Sequence, residues 1–145
     1  MGNRLVLRVG LMAVILVAFV VGLDQVSKVA WVGHTHRVVP FRVTDDKDGT
    51  PIPGASVRLT SGGDRDEPEW KTNAAGEVDV EYLFQTCGTN SFFERHAVIE
   101  VGLATVNVRV EGYHPVYDYL SEFTDSARDL YGPPIPPVEI RLKRK

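Results

Sequence analysis

At 145 residues the chain has room for one domain with a proper core plus an accessory segment. From Val38 onward 12 Lys/Arg stand against 18 Asp/Glu, whereas the first 37 residues carry four positive groups against the single Asp24. An acidic body excludes nucleic acid as a partner, because phosphates need a basic face, and ordinary solvation of a soluble surface accounts for it.

The first 23 residues, MGNRLVLRVGLMAVILVAFVVGL, join a two-arginine head to an unbroken apolar run from Val9 to Leu23. As a helix that run rises about 22 Å, short of a hydrocarbon core of about 30 Å. Adding Leu5–Leu7, with Arg8 reaching the headgroups, gives a 19-residue span that can cross. A cleaved signal peptide shares this layout. Cleavage needs small residues at alternate positions before the cut, and only Val20-x-Gly22 and Ser27-x-Val29 come near. An uncleaved anchor over residues 1–23 is the expectation. In either case Arg4 and Arg8 hold the N-terminus in the cytoplasm and place the body on the extracytoplasmic side.

Residues 24–37 read as a polar juxtamembrane linker, with Trp31 suited to the membrane interface. His34-Thr35-His36 would put two imidazoles on one face of an extended segment, a metal clip without a third ligand nearby in sequence; a plain linker is the preferred reading. Apolar residues then recur with period two, the mark of strands with one wet face. The sets are Val39/Phe41/Val43, Ala55/Val57/Leu59, Val78/Val80/Tyr82, Ala97/Ile99/Val101, Val106/Val108/Val110 and Val138/Ile140/Leu142. A weaker strand over Glu69–Thr72 would bury Trp70.

Between the first two sets lies DKDGTPIPGASVRLT, residues 46–60. Asp48-Gly49 is expected to form a tight turn, since glycine takes positive φ at no steric cost. Pro51 and Pro53 stiffen the return along an edge, and Gly54-Ala55 would let two backbones approach. Thr72–Gly76 supplies the next turn. Asp64–Glu69 has the oxygen ligands calcium prefers, but it lacks the regular spacing of a loop-wrapped site and reads as a solvated tip. Cys87 is the single cysteine, so no intrachain disulfide forms, and it reads as a small loop or core residue. Phe92-Phe93, in a turn over Gln85–Arg95, reads as a folded-back plug.

Gly112 to Pro137 is a long connection holding Tyr113, Tyr117, Tyr119, Phe123 and Tyr131. Such length in a compact domain marks function or disorder, and so many aromatics argue against disorder. It is expected to pack as a lid over the domain. A short helix over Asp125–Tyr131 would turn Ala127 and Leu130 inward and leave Arg128 and Asp129 in water.

About seven strands with no core-forming helix predict an all-β, antiparallel sandwich. The succession D-x-x-G-x-P-I-P-G-A-x-V-x-L, T-N-A-x-G-E-x-x-V and V-x-V-x-x-x-G-Y resembles the carboxypeptidase regulatory-like domain family. The residues that carry the resemblance are Asp46, Gly49, Pro51, Pro53, Gly54, Ala55, Val57, Thr72, Gly76, Val80, Val108, Val110, Gly112 and Tyr113. It implies a transthyretin-like, seven-stranded Greek-key sandwich over residues 38–145, and it brings no catalytic inventory.

The sequence does not fit the enzymes built on similar sandwiches. The chain ends Arg141-Leu142-Lys143-Arg144-Lys145, without the tyrosine-arginine-glycine-serine ending of a hydroxyisourate hydrolase. Its tyrosines and His96 and His114 lack the spacing of an intradiol dioxygenase iron site. The expected function is therefore a non-enzymatic, membrane-anchored binding or structural module of a bacterial cell envelope. Membrane lipid is its partner through the N-terminal helix, with an envelope protein or polysaccharide as a second partner and no catalytic residue, metal or cofactor. Tyr113, Tyr117, Tyr119, Phe92 and Phe93 are the candidate contact residues. Two alternatives remain: a carbohydrate- or peptide-binding accessory domain using residues 112–137, and a small exported hydrolase or metal-dependent enzyme.

Overall fold

The computed structural model describes residues 2–61 and 68–145, with side chains from Gly10 onward except at 62–67. Of the proposed acidic tip at Asp64–Glu69, residues 64–67 thus lie outside the described residues. The chain divides into two compact units, one of residues 1–31 with 88–96 and the other of residues 32–87 with 97–145.

Helix α1 spans Gly2–Val26. Its described side chains from Gly10 to Phe19 are all exposed, although nearly every one is apolar. From Gly10 to Val26 the rise is about 25 Å, and among the described residues no helix is long and apolar enough to cross a membrane.

Among the described residues nine strands follow: β1 Val29–Asp45, β2 Ser56–Ser61, β3 Trp70–Lys71, β4 Glu77–Asn90, β5 Arg95–Glu100, β6 Ala104–Arg109, β7 Val116–Tyr119, β8 Ala127–Asp129 and β9 Val138–Leu142. They form a five-stranded sheet in the order β8-β5-β4-β1-β9 and a four-stranded sheet in the order β3-β2-β6-β7. One core joins both sheets. Val39, Phe41 and Val43 from β1, Val80 and Phe84 from β4, and Ile140 from β9 share it with Val57, Leu59, Val106 and Val108 from the other sheet. The period-two pattern is the cause: alternate side chains of a strand point to one face, and here that face is apolar in both sheets. Tyr82 and Phe84 meet edge to face at 4.8 Å, a favoured aromatic geometry.

Several expectations need correction. The linker over 24–37 is only Ser27-Lys28, because α1 reaches Val26 and β1 begins at Val29. Residues 31–38 alternate half-buried and exposed, but small and polar residues occupy both faces, so the period carries no hydrophobic contrast. Trp31 is half-buried in β1 and stacks on Gly88, where a β-carbon would come within 2.8 Å of the ring. Strand β4 runs on to Asn90, with Phe84 and Thr86 buried, so the Gln85–Arg95 turn shrinks to Ser91–Glu94. Trp70 is only half-buried.

The sandwich is not wholly antiparallel. Strand β9 runs parallel to β1, with Phe41 opposite Val138 and Val43 opposite Ile140. Alternation reveals which face a strand buries and is blind to its direction.

The long connection holds two edge strands instead of a helix. Strand β7 extends the four-stranded sheet beside β6, and β8 extends the five-stranded sheet beside β5, with Ile99 opposite Arg128. An isolated helix of six or seven residues has a costly nucleus, whereas pairing on a waiting edge supplies main-chain partners at once. Ala127 is consequently exposed and the Arg128 side chain is 16% exposed, the reverse of the helical expectation. The lid is anchored by Leu120, in a 3-10 turn over Leu120–Glu122, and by Ile135, both buried in the core. Tyr117, Tyr119 and Tyr131 stay in solvent.

The proline-glycine stretch behaves largely as expected. Gly49, Gly54, Gly76 and Gly112 all have φ between 70° and 82°. Nothing lies within 4 Å of a β-carbon built on Gly54, so backbone conformation, not close approach, requires that glycine. Thr72 ties the turn together: its hydroxyl donates to Ile52 O at 2.7 Å and accepts from the Ala55 amide at 2.9 Å.

Candidate ligand-binding surfaces

Of the five proposed contact residues, Phe92 and Phe93 belong to one compact unit and Tyr113, Tyr117 and Tyr119 to the other. Tyr113 belongs to a structural cluster around Asp45, which the inward side of β1 buries. One Asp45 oxygen accepts the Lys47 amide at 2.8 Å; the other accepts the Tyr113 hydroxyl at 2.9 Å and Arg144 Nε. Arg144 also reaches Asp48 at 3.2 Å. Backbone bonds from Lys145 to Gly112 and from His114 to Lys143 close the latch. Tyr113, half-buried, thus has its hydroxyl engaged in this cluster.

The Lys47 amide foremost, then the Tyr113 hydroxyl and Arg144, hold the Asp45 carboxyl below its ordinary range against the opposing effect of burial. Hydrogen bonds from Thr50 lower Asp48 in the same way. A carboxyl lowered by folding adds stability that is complete above its unfolded pKa, about 4, and is lost as pH falls through the folded value. The urea midpoint of the full-length protein is expected to hold above about pH 5 and to fall below about pH 4. Asp45→Asn should flatten that acid slope; a slope unchanged by the substitution would remove Asp45 from the explanation.

Tyr117 and Tyr119 do share a surface. They sit two apart on β7, 68% and 58% exposed, and so project from the same face of the edge strand. Their cross-strand rows are Arg58–Asn107–Tyr117 and Thr60–Thr105–Tyr119. Val106, between these rows on β6, and Val108, just beyond them, point into the core, which turns the tyrosine rows outward. Arg109 Nε donates to Asn107 Oδ1 at 3.0 Å. Thr60 and Thr105 are buried, so the two exposed rings, with the Asn107 amide and the Arg109 guanidinium beside them, are what can stack on a flat ligand and hydrogen-bond its rim.

A second surface is a cleft of about 610 Å³ whose lining includes His34, His36, Trp70, Glu81, Leu83 and Gln85. Both histidines point out of β1, and His36 Nδ1 lies 3.4 Å from Glu81 Oε1. The structure thus supplies the carboxylate neighbour that the sequence did not place. Among the described residues no group of three or more His, Cys, Asp or Glu is arranged to hold a metal ion.

Other reactive side chains are engaged locally. Glu69 pairs with Lys71 at 2.8 Å and Arg58 at 3.2 Å. Lys71, then Ser56, hold its carboxyl down to about 2. Cys87 donates to Glu100 at 3.3 Å, and that bond, with burial and the carboxylate charge, pushes the thiol up and away from the reactive thiolate.

Phe92 and Phe93 are not a plug. They occupy the middle of the Ser91–Glu94 turn and are 74% and 73% exposed. No protein-family model, curated protein or solved structure matches the chain.

Proposed function

We propose that the chain is a non-enzymatic, membrane-anchored binding module of the cell envelope. Its transthyretin-like, carboxypeptidase regulatory-like sandwich lies on the extracytoplasmic side. One observation carries this reading. The described part of α1 leaves Leu11, Met12, Val14, Ile15, Leu16 and Phe19 each between 59% and 71% exposed. A helix apolar on all sides needs a core or a bilayer around it. Leu5–Leu7 and Val9 supply the remaining length of a span in sequence. The Asp45–Tyr113–Arg144 cluster, the Cys87–Glu100 bond and the Glu69 ion pairs support a scaffold role, because they hold reactive groups in structural contacts.

Mass spectrometry of the membrane fraction is expected to find Val26–Arg37 joined to an intact N-terminus, with protease added outside the cell removing the sandwich. A mature N-terminus between Leu23 and Arg37, or a sandwich protected from external protease, would overturn the assignment.

The exposed Tyr117–Tyr119 face favours a polysaccharide or extended peptide as the ligand. Ring faces spaced along an edge strand suit a repeating, planar partner.

A further inference from the structure

The Phe92–Phe93 turn belongs to the same compact unit as α1. Its backbone is satisfied from within: the Ser91 amide donates to Glu94 O at 2.8 Å and the Glu94 amide donates to Ser91 Oγ at 3.1 Å. Closing the turn between those two residues leaves both phenyl rings at the apex, 74% and 73% exposed among the described residues. At its base Trp31 stacks on Gly88, whose β-carbon would lie 2.3 Å from His96 O, so the hairpin closes tightly there.

The turn is also placed relative to the helix. The Phe93 amide donates to Asp24 Oδ1 at 3.3 Å. Asp24 is the first charged residue after the Val9–Leu23 run, the point at which a helix in a bilayer reaches water. The two exposed rings are therefore held at the level where α1 would leave the hydrocarbon. Apolar rings at that depth are favoured when they sink into the boundary of headgroups and acyl chains.

We infer that the Phe92–Phe93 turn is a second membrane contact, which dips into the bilayer beside the exit of α1. This rests on the reading of α1 as an anchor. Asp24 and Glu94 lie at the base of the turn, with Lys28 four residues after the first and Arg95 directly after the second, so net charge gives no pull toward anionic lipid and the contact is apolar. Two points of attachment, unlike one, would fix the orientation of the residues between them.

The test uses full-length protein in liposomes, with Cys87→Ser to remove the native thiol. An environment-sensitive fluorophore is attached singly through Phe92→Cys, Leu16→Cys or Glu111→Cys. With nitroxide lipids as quenchers, the label at position 92 should lose fluorescence to a nitroxide near the headgroups, and the label at position 111 should not. An unquenched label at 92 overturns the inference even where the label at 16 is quenched by a nitroxide deep in the chains. That pattern would leave the anchor standing. An unquenched label at 16 removes the anchor and the inference together, and quenching at both 92 and 111 replaces the local contact by a sandwich lying flat on the membrane.

Discussion

Replacing Gly76 with valine is expected to unfold the sandwich or lower its stability by on the order of 3 kcal/mol or more. Gly76 has φ +72°, and a β-carbon there would lie 2.5 Å from Val43 O, a backbone atom of the central strand β1. Two costs add. A β-branched side chain in left-handed backbone costs about 1–3 kcal/mol, and forcing apart well-packed atoms costs about 1–3 kcal/mol more. The overlap has no soft relief, because the Gly76 carbonyl accepts the Val43 amide at 2.8 Å and Val43 O accepts the Ile52 amide at 3.0 Å. Moving the glycine breaks the first bond; moving β1 breaks the second. Gly49→Ala is the matched control, with φ +70° and nothing within 4 Å, so it carries the conformational cost alone. Urea melts of the full-length protein in detergent decide the matter. Equal midpoints for Gly76→Ala and Gly49→Ala would show that close approach across Val43 contributes nothing.

Leu120→Ala should cost about 2–5 kcal/mol, as expected for a fully buried leucine. Leu120 is 0% exposed and joins the core from within the long aromatic connection. Tyr117→Ala and Tyr119→Ala, three and one residues away, should leave the melting temperature nearly unchanged, since both rings stand in solvent. If the tyrosine face takes a polysaccharide or peptide, those two variants should lose binding while Leu120→Ala loses the fold. Thermal melts and a glycan or peptide binding assay separate the outcomes. A Leu120→Ala protein as stable as the parent would mean that the connection is draped over the sandwich and does not complete it.

The contrast between Leu120 and its tyrosine neighbours shows what was legible in the sequence. Alternation located the inward sides of β1, β2, β6 and β9, and Val43, Val57, Leu59, Val106, Val108 and Ile140 are each 0% exposed. Turn chemistry located Gly49 and Gly76, two of the four glycines at positive φ. Both signals are local, set by one strand's pleat or one residue's backbone. Partner choice is not local. That β9 runs parallel to β1, and that β7 and β8 extend opposite sheets, depends on which edges stand open once the rest has paired. Counting aromatic rings foresaw that the connection packs, but credited the tyrosines when Leu120 and Ile135 hold it. The contact surfaces were legible only as separate residues. Tyr117 and Tyr119 were named together, yet their rows through Asn107 and Thr105 exist only after β2, β6 and β7 pair. Asp45 was passed over for Asp46 beside it, because the spacing of the turn motif does not say which of two adjacent carboxylates faces the core.

The parallel register of β1 with β9 ties together segments roughly one hundred residues apart, a closure that comes late because long loops are entropically expensive to form. Until β9 arrives, the side of β1 it will occupy is an open row of amides and carbonyls on the longest strand of the protein. Open rows of that kind template pairing with other chains. Strand β9 then carries Glu139 and Arg141 between its buried residues, with Lys143 just after it, and charge on a new outermost strand discourages further addition. The last strand to join is thus also the one that closes this edge of the sheet to growth.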